Sequence, residues 1–111
     1  MNKQRLFNKQ TVTFTTTGTQ TLWVDYRQSN PALLTQILAS IKQLYTGHTW
    51  SANMYGHMEQ GDTSTGMFSA TLGAKTANGI WAGTTAYPWF RIDITVTVKG
   101  ANACVFEVIT Y

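Results

Sequence analysis

Apolar and polar side chains alternate with a period of two along much of the chain, the signature of half-buried strands. The alternation is cleanest near the carboxyl end. Phe90, Ile92, Ile94, Val96 and Val98 interleave with Arg91, Asp93, Thr95, Thr97 and Lys99. A second run, 103–111, repeats the even parity with Cys104, Phe106 and Val108. The loop Gly100-Ala101-Asn102, with Lys99 opposite Ala103, would put both even sets on one face of a hairpin. That register sets Thr95 beside Glu107 and Arg91 beside Tyr111. It predicts a long hairpin at the centre of an antiparallel sheet.

Residues 10–17 alternate Val12 and Phe14 with threonines, and Gly18 interrupts them. Residues 21–26 put Leu22, Val24 and Tyr26 on one face, with Trp23 and Asp25 on the other. Trp23 is therefore either exposed or packed under another layer. Threonine is unusually frequent; it is β-branched, favours pleated strands and tolerates water. Further short strands are expected near 49–55, 66–72 and 79–86, with turns at Gln60-Gly61-Asp62 and Ala77-Asn78-Gly79. Residues 31–45 read differently. Asn30 is a good N-cap, Pro31 suits the first helical position, and Leu34, Ile37, Leu38, Ile41, Leu44 and Tyr45 recur at helical spacing. Lys42 suits the last turns, and Gly47 can take the left-handed turn that ends a helix.

These elements predict a mainly β domain, an antiparallel β-sandwich or jelly-roll-like fold with one α-helix at about 31–45. An α+β sheet with the helix across one face is the alternative. A chain of 111 residues fits one domain over 10–111, preceded by a basic arm over 1–9. Lys3, Arg5 and Lys9 precede the first acid, Asp25. Such an arm is either a solvated terminus or a segment that docks on an acidic partner surface. Only 12% of residues are charged, about half the usual share, and this suits a subunit pressed against a partner. Cys104 is the sole cysteine, so there is no internal disulfide. No run reaches the ~18 apolar residues that span a bilayer, and the amino end lacks a secretory pattern. Synthesis and assembly in a reducing cytoplasm are expected.

Little in the sequence carries catalysis. His48 and His57 lie near Glu59 and Asp62 in a glycine-rich stretch, but the spacing matches no ligand motif, and surface histidines are expected. Cys104 falls on the inward face of a strand, where a thiol behaves as a small hydrophobe. Glu59 with Asp62, or Asp93 with Glu107, are the possible carboxylate pairs, and the second reads as a solvated sheet surface. No phosphate loop, dinucleotide fingerprint or nucleotide-reading motif is present. The chain is expected to be no enzyme and to need no metal or cofactor. The aromatics are the better candidates. Trp81, Tyr87 and Trp89 flank a charge-free segment in which Pro88 marks an edge or turn. They either fill the ends of the core or form an interface.

Two functions fit this surface: docking on a large assembly, or a carbohydrate-binding β-sandwich module that uses exposed tryptophans. The chain length, the threonine-rich strand Gln10 to Thr17, the long carboxyl-terminal hairpin expected over Phe90 to Tyr111 and the basic arm together resemble a known group. It is that of the small capsid decoration (staple or cement) proteins of tailed phages, of the epsilon-fifteen-like podophage type. The resemblance implies a jelly-roll-like virion structural protein on the outer capsid surface. It would staple neighbouring major capsid protein subunits, self-associate as paired copies, and touch neither membrane nor nucleic acid directly. Lys3, Arg5 and Lys9 would serve the arm, and Trp81, Tyr87 and Trp89 the apolar contact.

Overall fold

The computed structural model describes residues 8–25, 37–61, 68–83 and 89–110. Among these residues there are eight strands: β1 (Asn8–Phe14), β2 (Gly18–Asp25), β3 (Ile37–Gln43), β4 (Thr49–His57), β5 (Phe68–Lys75), β6 (Gly79–Gly83), β7 (Trp89–Val98) and β8 (Cys104–Thr110). They form two four-stranded antiparallel sheets. The first, sheet A, has the order β1-β8-β3-β6, and the second, sheet B, has the order β2-β7-β4-β5.

The order follows from one long folded-back ladder. β1 pairs with β8, β2 with β7, β3 with β6 and β4 with β5. Rolling that ladder up adds the β3–β8 and β4–β7 pairs and closes each sheet at four strands. The inner faces share one core. Val12, Phe14, Ala39, Ile41, Cys104, Phe106 and Val108 come from sheet A. Val24, Trp50, Ala52, Met54, Phe90, Ile92, Ile94 and Val96 come from sheet B. Phe106 packs edge-on against both Phe14, at 5.8 Å, and Trp50, at 5.4 Å, and so joins the two layers. The buried Trp50 keeps its indole N–H satisfied by donating to the Ala77 carbonyl at 3.0 Å.

Three expectations are corrected. No helix occurs among the described residues, and the second half of the expected helix is strand β3. Residues 30–36 lie outside the described set. The sequence 37–43 satisfies two periods at once. Its odd members Ala39, Ile41 and Gln43 face inward, while Ser40 and Lys42 face outward. Leu44 and Tyr45, part of the supposed apolar stripe, are 41% and 52% exposed. Hydrogen bonding to β8 and β6 on both sides outweighs a modest helix preference. Gly47 does take a positive φ of 101°, but it turns β3 into β4.

The expected hairpin is the second correction. β7 and β8 lie in opposite sheets, each at an inner position, and the 99–103 loop crosses between layers. Their even residues do face one core, but from opposite sides. Thr95 therefore stands beside Thr19 and Ser51, and Glu107 beside Thr11 and Lys42. Arg91 stands beside Trp23 and Tyr55, and Tyr111 lies outside the described set. Val98 runs past the end of the core and is 55% exposed. Third, both histidines are buried and neither is a surface residue. His48 fastens the crossing loop: its Nδ1 accepts the Gly100 N–H at 3.1 Å, and its Nε2 lies 2.9 Å from the Ala103 carbonyl.

Candidate functional site

The sheet register alone assembles a row of unlike side chains on the outer face of sheet B. Opposed residues of an antiparallel pair share a face. Trp23 of β2, Arg91 of β7 and Tyr55 of β4 therefore stand side by side across three strands. The next row toward the chain termini of β2 and β4 is Asp25, Trp89 and His57; on the other side it is Thr21, Asp93 and Asn53.

The contacts within these rows are specific. The Arg91 guanidinium lies 4.1 Å from the centre of the Tyr55 ring and 5.8 Å from that of Trp23. Both distances are within the range of cation–π attraction, which strengthens as the cation loses water. Arg91 retains only 7% side-chain exposure, and its Nε is 3.6 Å from Asp93 Oδ2. Asp93 keeps 22% exposure, and its Oδ1 accepts the Thr21 hydroxyl at 2.7 Å. Trp23 meets Trp89 edge-on at 6.4 Å and tilts against His57 at 5.3 Å. Beyond them the face becomes a hydroxyl lawn, with Thr19 bonded to Thr95 and Thr71 donating to Asn53. Thr21, Trp23, Gly61, Arg91 and Asp93 line an open cleft of about 370 Å³. Among the described residues no group of three or more His, Cys, Asp and Glu side chains converges as a metal site would require.

Comparison with known protein families, with curated proteins and with solved structures finds no match.

The residues singled out from the sequence are dispersed. Lys9 lies within β1 on the outer face of sheet A, where its Nζ is 3.4 Å from Glu107 Oε2. Trp89 lies on the outer face of sheet B and is 9% exposed, packed on Trp23. The sandwich thus separates these two. Trp81 occupies a β6 position opposite Ala39. Lys3, Arg5 and Tyr87 lie outside the described residues, as does Asp62. Asp93 and Glu107 project from opposite sheets and cannot act as a carboxylate pair.

Sequence reasoning missed Arg91, Asp93, Tyr55 and Thr21 as members of one site. One signal was available. Trp89, Arg91 and Asp93 share the odd face of a single strand, so an aromatic, a cation and an acid had to be neighbours. Their partners on β2 and β4 became visible only with the register.

At the opposite end of the sandwich the surface is different. Leu44, Tyr45 and Val98 are exposed where the β3–β4 and β7–β8 loops meet, and Ile80 is 66% exposed on the nearby edge strand β6. The two loops are tied together. Leu44 N–H donates to Val105 O at 3.0 Å, and Asn102 Nδ2 donates to Thr46 O at 3.1 Å. The apolar groups therefore stand on a braced end.

Proposed function

We propose that this chain is a non-enzymatic virion structural protein that binds the outer capsid surface and staples neighbouring major capsid protein subunits. The observation that carries the reading is the braced end bearing Leu44, Tyr45 and Val98 on a sandwich with very few charges. The whole chain has 8 basic and 5 acidic side chains. Exposed apolar side chains on an ordered surface gain free energy by docking, about 25 cal/mol for each Å² removed from water. The strand order supports reading the sandwich as a jelly roll, two Greek keys wrapped together, an architecture shared by capsid and lectin domains. That architecture does not itself assign a role. The likeness of the chain to the decoration proteins of epsilon-fifteen-like podophages adds the partner and the location.

The mechanism is linkage. A subunit that binds the mature shell and not the competing state adds its binding free energy to that shell. Repeated contacts around a closed surface, or between paired copies, raise occupancy beyond that of one contact. The basic residues Lys3 and Arg5 add attraction to an acidic neighbour, while Lys9, within β1, faces Glu107 of the same chain. Trp81, Tyr87 and Trp89 remain candidate contact residues, with Trp89 also packing against Trp23.

The test is add-back to purified shells that lack the chain, read as bound copies per shell by sedimentation and electron microscopy. Occupancy should saturate, and the shells should resist a higher temperature. The double variant Tyr45→Asp, Val98→Asp should lose most occupancy while melting as the parent chain does. Absence of binding by the parent, or full binding by this variant, overturns the reading.

A further inference from the structure

We propose that the cleft lined by Thr21, Trp23, Gly61, Arg91 and Asp93 binds a neutral sugar ring, a second activity independent of docking on a shell. Hydrogen-bond direction carries the inference. The Thr21 hydroxyl spends its proton on Asp93 Oδ1, at 2.7 Å. Thr21 Oγ1 therefore faces the cleft as an acceptor. Asp93 is also an acceptor, and an ionised carboxylate has about four lone-pair sites. At 22% exposure it remains open to a ligand. A matching ligand must bring hydroxyl or amide protons to this rim.

Charge narrows the class. Asp93 Oδ2 lies 3.6 Å from Arg91 Nε, so the one cation among the described lining residues already faces an anion. Two acceptors and a compensated arginine disfavour phosphate, sulfate or a carboxylate. A nucleic-acid backbone is disfavoured for the same reason, since it requires uncompensated cations. A polyol fits both acceptors without bringing charge. Trp23 forms the apolar wall, and the negative face of an indole suits the C–H face of a pyranose. Its ring is braced by Trp89 at 6.4 Å and by His57 at 5.3 Å, so little conformational freedom remains to be lost on binding. The volume, about 370 Å³, is at the small end for ligand sites and suits one ring.

The experiment titrates the full chain with the methyl glycosides of glucose, galactose and mannose, and with glucuronate and N-acetylneuraminate. Binding is read by tryptophan fluorescence and by amide NMR shifts. At least one neutral glycoside should give saturable shifts at Thr21, Trp23 and Asp93. Asp93→Asn, which keeps one acceptor but exchanges a charged hydrogen bond for a neutral one, should weaken it about fivefold or more. Thr21→Val, of nearly the same shape, should weaken it severalfold, and it provides an independent check if Asp93→Asn melts early. Absence of saturation with every neutral glycoside overturns the proposal. So does preferential binding of the acidic sugars, or equal affinity in both variants. Because no shell is present, none of these results bears on capsid docking.

Discussion

Gly100 shows how one missing atom shapes this molecule. A Cβ there would sit 2.5 Å from the Gly47 carbonyl oxygen and 3.2 Å from its carbon, both of them backbone atoms that cannot swing aside. Gly100→Ala should therefore cost about 1–3 kcal/mol by forcing the two loops apart. Gly73 is the control. A Cβ there meets nothing within 4 Å, and its φ is not positive. Gly73→Ala should be neutral or stabilising by up to about 1 kcal/mol, since it restricts the unfolded chain. Urea denaturation of the two variants measures the contrast, and equal effects would remove the account of the loop contact. Cys104 gives a second test. Burial pushes its thiol pKa up, and the nearby Lys99 opposes this only in part. The native thiol should stay protonated and inert to thiol reagents at pH 8, then react on denaturation. The unfolded chain ionises first as pH rises, so the stability that this thiol contributes is complete below about pH 9 and declines above it. Unfolding curves of the parent chain and of Cys104→Ala should converge on that alkaline side.

The strands show what a pattern of two can and cannot reveal. The even face of β7 was legible, and Phe90, Ile92, Ile94 and Val96 are all at most 1% exposed. So was the even face of β8. Their pairing was not legible, because parity states which face a residue takes and never which strand lies next to it. A short loop ordinarily signals a hairpin, but here His48 and the Gly47–Gly100 contact carry the loop across the layers. β3 failed for a related reason: Ile37 and Ile41, four residues apart, fit helical and strand spacing alike over so short a span. The site was hidden more deeply, since Trp23, Tyr55 and Arg91 come from three strands and meet only through register. Phe106 tests the packing of these elements. It is fully buried between Phe14 and Trp50, so Phe106→Ala should cost about 3–5 kcal/mol. A loss below about 1 kcal/mol in equilibrium unfolding would show that the two layers do not meet there.

Taken as a whole, the proposed docking rests on two kinds of contact that salt can separate. The braced end carries Leu44, Tyr45 and Val98, whose burial does not depend on ionic strength. Residues 1–7 carry Lys3 and Arg5, and under the proposed docking their attraction to an acidic partner would depend on it. Lys9 belongs with neither, because it is half-exposed within β1 and sits beside Glu107, a surface pair worth at most about 1 kcal/mol. Truncation should therefore remove residues 1–7 and leave β1 whole. The Debye length falls from about 30 Å at 0.01 M to about 3 Å at 1 M salt. Shell occupancy by the truncated chain should change little across that range. The intact chain should bind more tightly than the truncated one at 0.01 M and equally at 1 M. If the truncated chain loses its binding with salt, the apolar end is not the principal contact. If the advantage of the intact chain persists at 1 M, its arm acts by packing and not by charge.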